Sequence, residues 1–177
     1  PDHMLTLGDL SEKQVEDVFW ASRDRIVDLR KDIRLRYILV FKTHGDAAGA
    51  TLEHTHSQLI ALPVIPKRSL EELEGAKRYF AYRERCIYCD MVRQEEEGGT
   101  RIILETEHYV AFCPYASRFA FETWIVPKKH SSHFESVEIA QGKNLGWMLR
   151  AVIRKGDQVK ERPAYNLMIH SAPVQEG

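Results

Sequence analysis

The spacing of apolar residues along the chain predicts its first helix and its first strand. Between residues 12 and 32 apolar positions recur at helical spacing, and Ser11 with Gln14 three residues later matches a helix-capping pattern. Residues 35–42 (LRYILVFK) form a run rich in β-branched, aromatic and other apolar side chains. We therefore expect a helix over residues 12–32, followed by a buried strand over residues 35–42.

The same patterns predict the other elements. Helices are expected over residues 69–85 and 137–159, and strands over residues 55–62, 101–105, 109–113, 121–126 and 166–170. Residues 44–49 (HGDAAG) are mostly small and predict a loop between the first two strands. Strands and helices mixed in this way, with short connections, predict an α+β or α/β fold built on a sheet.

The order of these segments repeats within the chain. His3, a helix and the strand around Tyr37 correspond to His130, a helix and the strand around Tyr165. The spacing from histidine to tyrosine is 34 residues in the first case and 35 in the second. Such a self-match predicts a duplicated unit, of which this chain is expected to hold an internal slice. If residues 1–4 are instead a cloning remnant, His3 takes no part in this comparison.

The composition is that of one compact domain or two small ones. Of the 177 residues, 44% are hydrophobic and 29% are charged, and the formal net charge is -1. This balance gives no electrostatic footprint for nucleic acid, so we expect no nucleic-acid partner. Neither an apolar run of about 18 residues nor a secretory leader is present, which predicts a cytoplasmic protein that does not associate with a membrane.

The segment of residues 54–58 (HTHSQ) carries the first candidate chemistry. Alternate side chains of an extended strand point the same way, so His54, His56 and Gln58 are expected to share one face of the predicted strand 55–62 and its edge. Two imidazoles and an amide can bind a metal, attack phosphorus and hold the adduct. Taken alone, a pair of histidines on a polar strand face is more often only solvated or hydrogen-bonded.

The three cysteines carry the second candidate chemistry. Cys86 and Cys89 are two residues apart in a Cys-x-x-Cys pattern, which predicts a metal site or a reduced, redox-active pair in an intracellular protein. Cys113 stands alone in a predicted apolar strand and is expected to be a small core residue.

A family resemblance extends over nearly the whole chain. Its carriers are residues 1–3 (PDH), 6–10 (TLGDL), 41–45 (FKTHG), 54–58 (HTHSQ), 105–108 (ETEH), 121–124 (FETW) and 170–173 (HSAP). With these motifs the chain resembles the galactose-1-phosphate uridylyltransferase family of the histidine triad superfamily. The cysteine pair and the HTHSQ segment are more similar to the branch with two zinc sites, which includes sugar-nucleotide phosphorylases.

The resemblance implies a fold and a domain organisation. The family has an α+β, histidine-triad-like fold in which two tandem repeats each form half of an antiparallel sheet with packed helices. Residues 1–67 would be the C-terminal part of the first repeat, and residues 68–177 a linker helix and most of the second, so each repeat is incomplete here. The family also implies a homodimer.

The resemblance further implies a covalent mechanism. His56 corresponds to the family nucleophile, which attacks the α-phosphorus of a sugar nucleotide and holds a nucleotidyl group; Gln58 would donate its amide to a phosphoryl oxygen. Thr51 would offer a hydroxyl to the same phosphate, and Gly49 would let backbone N–H groups approach it. Thr43 stands where relatives often have asparagine, which puts one substrate hydrogen bond in doubt.

Zinc is the cofactor that the resemblance implies. The first site would use His3, His54 and two cysteines upstream of this chain; the second would use Cys86, Cys89, His130 and a histidine downstream. An alternative second site, of the kind found in iron-type relatives, would use Glu72 and His170 and ranks lower because a cysteine pair binds zinc better.

Three functions follow from these expectations. The first is exchange of a uridylyl group between UDP-glucose and galactose 1-phosphate, with a sugar nucleotide and a hexose 1-phosphate as partners. The second keeps the covalent step but uses inorganic phosphate as acceptor, as in an ADP-glucose-type phosphorylase. The third is a zinc-stabilised nucleotide-binding module without turnover.

Overall fold

The computed structural model describes residues 6–52, 54–159 and 163–175. They form two units: unit 1 is built from the chain before Ile65 and after Ser131, and unit 2 is Ile65–Ser131. Each unit contains helices and a three-stranded antiparallel sheet, which confirms the predicted α+β fold. None of the described helices has the length and apolar character needed to cross a membrane.

In chain order the elements are α1 (Glu12–Leu29), β1 (Tyr37–His44), β2 (Gln58–Leu62), α2 (Lys67–Arg83), α3 (Ile87–Gly98), β3 (Ile102–Glu105), β4 (Tyr109–Phe112), β5 (Trp124–Pro127), α4 (Ile139–Val159) and β6 (Tyr165–Ile169). Short 3-10 helices lie at Asp46–Ala48 and Phe134–Ser136.

The sheet of unit 1 has the strand order β2-β1-β6. Strands β1 and β6 are the counterparts in the predicted repeat, and they pair with each other, with Val40 opposite Ile169 and Phe41 opposite Met168. Val40 and Met168 each lie three residues after the tyrosine that begins their strand, and Phe41 and Ile169 each lie four residues after it. Each pair therefore joins a residue at the first of these positions to a residue at the second. A two-fold relation between the strands gives this register.

One face of this sheet packs on helix α1. Ile38 and Val40 of β1 are buried against Ile26 of α1 and Val174, and this cluster forms the core of unit 1. Helix α1 begins with the predicted capping box, because the Ser11 side chain accepts from the Gln14 N–H while the Gln14 side chain accepts from the Ser11 N–H. The local sequence therefore fixes where α1 starts, and its apolar stripe fixes which side faces the sheet.

Helices α1 and α4 approach closely where α4 carries glycine. A Cβ atom added to Gly142 would meet the Trp20 ring, with Cε2 3.0 Å away and Cζ2 closer still. We expect Gly142→Ala to lower the free energy of unfolding by about 1–3 kcal/mol because the indole must move in a packed interface. The measurement is urea denaturation of the purified protein.

Gly156 in the same helix is the matched control. A Cβ atom there meets only Pro163, at 3.9 Å. We expect Gly156→Ala to be neutral or to stabilise by up to about 1 kcal/mol through the better helix propensity of alanine. Equal effects of the two substitutions would contradict the close helix contact.

The core of unit 2 lies between helix α3 and the sheet β3-β4-β5. Val92 of α3 packs on Val110 and Phe112 of β4, which are fully buried. The Phe112 ring lies 6.0 Å from the ring of Trp124 on the neighbouring strand, centroid to centroid. Helix α3 is therefore a core element of its unit.

Several sequence predictions need correction. The predicted strand 55–62 begins only at Gln58, and helix α3 was not predicted. The first helix ends at Leu29, earlier than the predicted residue 32, because Arg30 caps it and the chain turns. Cys113 lies just beyond β4 and is half-buried. The division of the chain at residue 67 into two repeats stays a prediction.

Candidate functional site

The segment that precedes β2 carries the two candidate histidines. Residues 55–57 have no regular secondary structure, and the pairing of β1 with β2 starts with Phe41 opposite Gln58. The predicted strand is therefore wrong at its start, since only Gln58 belongs to it, and a shared face for His54, His56 and Gln58 stays a prediction. The position of His56 is set by hydrogen bonds of the irregular segment instead.

The ring of His56 is oriented by the backbone of its own segment. Its Nδ1 atom lies 3.0 Å from the carbonyl oxygen of His54. A carbonyl oxygen only accepts, so Nδ1 carries the hydrogen and donates it, and the Nε2 atom of a neutral ring holds the free lone pair. This arrangement gives His56 a single defined nucleophilic atom.

A lysine holds the same segment from the other side. The Nζ atom of Lys42, in β1, donates to the backbone carbonyl oxygen of His56 at 2.9 Å. Lys42 is 1% exposed, and burial lowers its pKa to about 8. Sequence reasoning treated Lys42 as the end of an apolar strand and missed it. The signal was present, since Lys42 continues the inward-facing series of Ile38 and Val40.

Two predicted substrate-binding side chains share the other face of the unit 1 sheet. Directly opposite residues of an antiparallel pair point the same way, so Gln58 lies on the same face as Phe41 and therefore as Thr43. Asn166 of β6 is directly opposite Thr43, and its side chain is exposed. Sequence reasoning missed Asn166, because only the strand register reveals that an amide stands beside the position where relatives often have asparagine.

The loop after β1 is a hydrogen-bonded turn that contains two glycines. Gly45 and Gly49 both have positive φ angles, 83° and 88°, which favour glycine. The N–H group of Gly49 donates to the Asp46 carbonyl oxygen at 2.9 Å, and that of Ala50 to the Gly45 carbonyl oxygen at 3.2 Å. These two N–H groups close the turn, while the expectation that the glycines let backbone N–H groups approach a phosphate stays a prediction. Thr51, just after the turn, is exposed.

His44 also has a structural environment. It is the last residue of β1, and its ring lies 5.0 Å from the ring of Tyr165, its partner on β6, centroid to centroid. Alternation places this pair on the face of Lys42 and not on that of Gln58.

In unit 2, three predicted metal ligands come together. Cys86 is the N-cap residue of α3 and Cys89 lies in its first turn, while His130 follows β5. The two sulfur atoms and a ring nitrogen of His130 lie within 4.8 Å of one another, and Cys89 Sγ is 3.2 Å from His130 Nδ1.

This donor set fits zinc. Zn–S and Zn–N bonds of about 2.3 and 2.0–2.1 Å at a tetrahedral angle separate ligand atoms by about 3.6 Å. The distance from Cys89 Sγ to His130 Nδ1 is 3.2 Å, and all three ligand atoms lie within 4.8 Å of one another. Burial raises the pKa of the Cys89 thiol, and the neighbouring Cys86 raises it further; a bound cation would offset that effect. Three ligands leave one tetrahedral position for a fourth.

Charged side chains next to the cluster fix the start of α3. Asp90 accepts a hydrogen bond from the Tyr79 hydroxyl of α2 at 2.7 Å, and it forms ion pairs with Arg85, at 3.2 Å, and with Arg93. The Tyr79 hydrogen bond first, and then the two guanidinium groups, hold the pKa of Asp90 below its usual value. These contacts join α2 to the turn that carries Cys89.

The other predicted metal ligands lie on several different elements. Glu72 lies in α2 in unit 2 and accepts from Arg68 at 3.4 Å, whereas His170 follows β6 in unit 1. His54 is exposed, and its predicted partner His3 lies outside the described residues. The first zinc site therefore stays a prediction.

Comparison with known families covers almost the whole chain. Residues 1–66 match the family described as galactose-1-phosphate uridyl transferase, N-terminal domain, and residues 72–177 match galactose-1-phosphate uridyl transferase, C-terminal domain.

Individual relatives carry two different names. An ADP-glucose phosphorylase of Arabidopsis thaliana is 35% identical over 99% of this chain and 48% of its own length. A galactose-1-phosphate uridylyltransferase of Thermotoga maritima is 31% identical over 99% of this chain and 55% of its own length. The chain thus spans about half the length of these curated relatives.

Solved structures give the same picture of the fold. The crystal structure of an Arabidopsis thaliana ADP-glucose phosphorylase with bound ADP-glucose matches all of this chain and 56% of its own, with a TM-score of 0.91 and 34% identity. A uridylyltransferase structure matches 99% of this chain and 56% of its own, with a TM-score of 0.93 and 28% identity.

Proposed function

The chain belongs to the galactose-1-phosphate uridyl transferase family, and on that premise we propose that it carries the nucleotide-transfer site of a UDP-glucose–hexose-1-phosphate uridylyltransferase. The observation that carries the proposal is the hydrogen bond between His56 Nδ1 and the His54 carbonyl oxygen. A nucleophilic imidazole needs one nitrogen protonated and the other free, and this bond places the hydrogen of the neutral ring on Nδ1 and leaves the lone pair on Nε2.

In the proposed reaction His56 is the nucleophile. Its Nε2 lone pair attacks the α-phosphorus of UDP-glucose, the P–N bond forms, and the bond from the α-phosphorus to the bridging oxygen breaks. Glucose 1-phosphate leaves with that oxygen. A phosphate oxygen of galactose 1-phosphate then attacks the same phosphorus and the P–N bond breaks, which releases UDP-galactose and regenerates the imidazole.

The exposed sheet face supplies the groups that hold the phosphoryl oxygens in this proposal. The Gln58 amide can donate to an oxygen that gains charge as phosphorus is attacked, and the Thr43 hydroxyl lies on the same face. Thr51 completes the proposed set from the loop that follows β1. These roles rest on side-chain chemistry and register, together with the family resemblance.

Removal of the Gln58 amide donor tests this part of the proposal. We expect Gln58→Ala to slow nucleotidylation of His56 by about 10²–10³-fold, because one donor to a developing oxyanion contributes about that much. The rate of label incorporation from sugar nucleotide labelled at the α-phosphorus is the measurement. Gln94→Ala, an exposed position of α3, is the matched control and should label at the wild-type rate; equal rates for both variants would remove Gln58 from the site.

Zinc belongs to the proposal as a structural ion. Cys86, Cys89 and His130 would hold it in unit 2, and a fourth ligand would complete the tetrahedron. A fully coordinated zinc ion stabilises the local fold and takes no part in the transfer itself. A homodimer and a cytoplasmic location stay predictions from the family resemblance and the composition.

A phosphorylase is the second candidate function. The relative at 35% identity is named an ADP-glucose phosphorylase, and the structure with ADP-glucose bound matches the whole chain. The first half of the reaction would be the same, with ADP-glucose as donor. Inorganic phosphate would then attack the nucleotidyl-His56 phosphorus, and the breaking P–N bond would release a nucleoside diphosphate.

One labelling experiment distinguishes these functions. The full-length protein is incubated with UDP-glucose or ADP-glucose labelled at the α-phosphorus, and acid-labile label on His56 is measured before either acceptor is added. Label that moves from UDP-glucose to galactose 1-phosphate supports the uridylyltransferase; label that moves only to inorganic phosphate supports the phosphorylase. No label from either donor would contradict both and favour a nucleotide-binding module without turnover.

A further inference from the structure

Lys42 occupies a position that the strand pattern reserves for an aliphatic residue. In β1 it continues the inward-facing series of Ile38 and Val40, which belong to the core of unit 1. It is 1% exposed, and among the described residues it is the largest of the fully buried side chains. An ammonium group at such a position costs stability unless it forms strong hydrogen bonds.

Burial of the ammonium group also lowers the pKa of the Lys42 side chain. Desolvation lowers the pKa of Lys42 from 10.5 to about 8. Its folded-state pKa is thus below that of the unfolded chain, so the charged form at neutral pH destabilises the fold, and this contribution fades only as the pH rises above about 8. Packing alone would be served better by methionine or leucine.

The hydrogen bond from Lys42 to His56 lies next to the end of the backbone pairing between β1 and β2. The ladder between β1 and β2 ends with Phe41 opposite Gln58. Lys42 is the next residue of β1, and its Nζ atom bonds the carbonyl oxygen of His56, two residues before Gln58. The Lys42 side chain therefore links β1 to the segment before β2 just beyond the last paired residues of the two strands.

This bond acts on the segment that aims the His56 ring. The ring is held through Nδ1 by the carbonyl oxygen of His54, so its direction depends on the backbone of residues 54–56. Lys42 fixes that backbone at His56 itself. The two hydrogen bonds together hold both the main chain and the ring of one residue.

We propose that Lys42 is a positioning residue that holds His56 in line for attack on phosphorus, an inference that rests on the function proposed above. Reacting atoms must approach within about 3–3.5 Å in the right direction, and an error of about 1 Å can cost about 100-fold in rate. In this proposal Lys42 acts through the backbone carbonyl of His56 and does not itself contact the substrate.

Lys42→Met in the full-length protein tests this role. Methionine has nearly the same length and fills the same space but has no donor. We expect the single-turnover rate of His56 labelling to fall at least 10-fold, the half-saturating donor concentration to change less than 3-fold, and the melting temperature not to fall. A purely structural lysine would not lower the rate while leaving stability intact.

Two further variants complete the design. Lys42→Gln keeps an N–H donor that is one bond shorter, and it should label faster than Lys42→Met. Lys77→Met, on an exposed position of α2, is the control for the substitution and should label at the wild-type rate. If the methionine variant does not fold, Lys42→Gln and Lys42→Ala are compared, and the proposal requires the glutamine variant to be at least 10-fold faster.

The results separate this inference from its premise. Wild-type label on His56 together with a Lys42→Met rate within 2-fold of wild type would overturn the role of Lys42 and leave the proposed function intact. Equal rates for Lys42→Gln and Lys42→Met would overturn it as well. Absence of label on the wild-type protein with both UDP-glucose and ADP-glucose would overturn the function and the inference together.

Discussion

His56→Gly is expected to abolish incorporation of label from sugar nucleotides, with a loss of at least about 10⁴-fold in the rate of nucleotide exchange. In the proposed mechanism the imidazole of His56 itself forms and breaks the covalent bond to phosphorus, and glycine has no side chain that could do so. The measurement is acid-labile label on the protein, combined with exchange between UDP-glucose and galactose 1-phosphate at saturating concentrations.

The control for this variant is the same change at another histidine. His108, in the turn between β3 and β4 of unit 2, is not part of the proposed site. His108→Gly should keep wild-type labelling. Both variants are also checked for zinc content and for the unfolding transition, because a collapse of the fold would imitate a loss of chemistry. Exchange retained by folded His56→Gly would remove His56 as the nucleophile.

The sequence identified the candidate side chains better than it identified the structure that holds them. His56 and Gln58 were found from residue types and spacing, but the strand that was expected to align them begins only at Gln58. The reason is physical: the carbonyl oxygen of His56 is bonded by the Lys42 side chain and that of His54 by the His56 ring. A pattern with a period of two residues does not reveal side-chain bonds to the backbone.

Helix α3 shows a second limit of pattern reading. Cys86 is its N-cap residue and Cys89 lies in its first turn, so the segment was interpreted only as a Cys-x-x-Cys metal motif and no helix was assigned to it. Its stability comes from tertiary packing of Val92 on β4 and from the Tyr79–Asp90 hydrogen bond. The start of α1, in contrast, was predicted correctly because its capping box is local in sequence.

Cys89→Ser is expected to remove one zinc ion per chain from the full-length protein and to destabilise unit 2 by more than about 4 kcal/mol. Serine is a poor zinc ligand, and binding energy at a structural zinc site is folding energy. Since Cys89 lies in the first turn of α3, loss of the ion should release the anchor of a helix that supplies Val92 to the core.

The measurements are zinc content by elemental analysis and chemical denaturation followed by tryptophan fluorescence, which reports on Trp124 in this unit. Cys113→Ser is the matched control, because Cys113 is a half-buried cysteine outside the cluster; it should keep its zinc. A Cys89→Ser protein with unchanged zinc content would contradict the assignment of the cluster. Loss of zinc with no change in unfolding would show that the ion is bound but does not hold α3 in place.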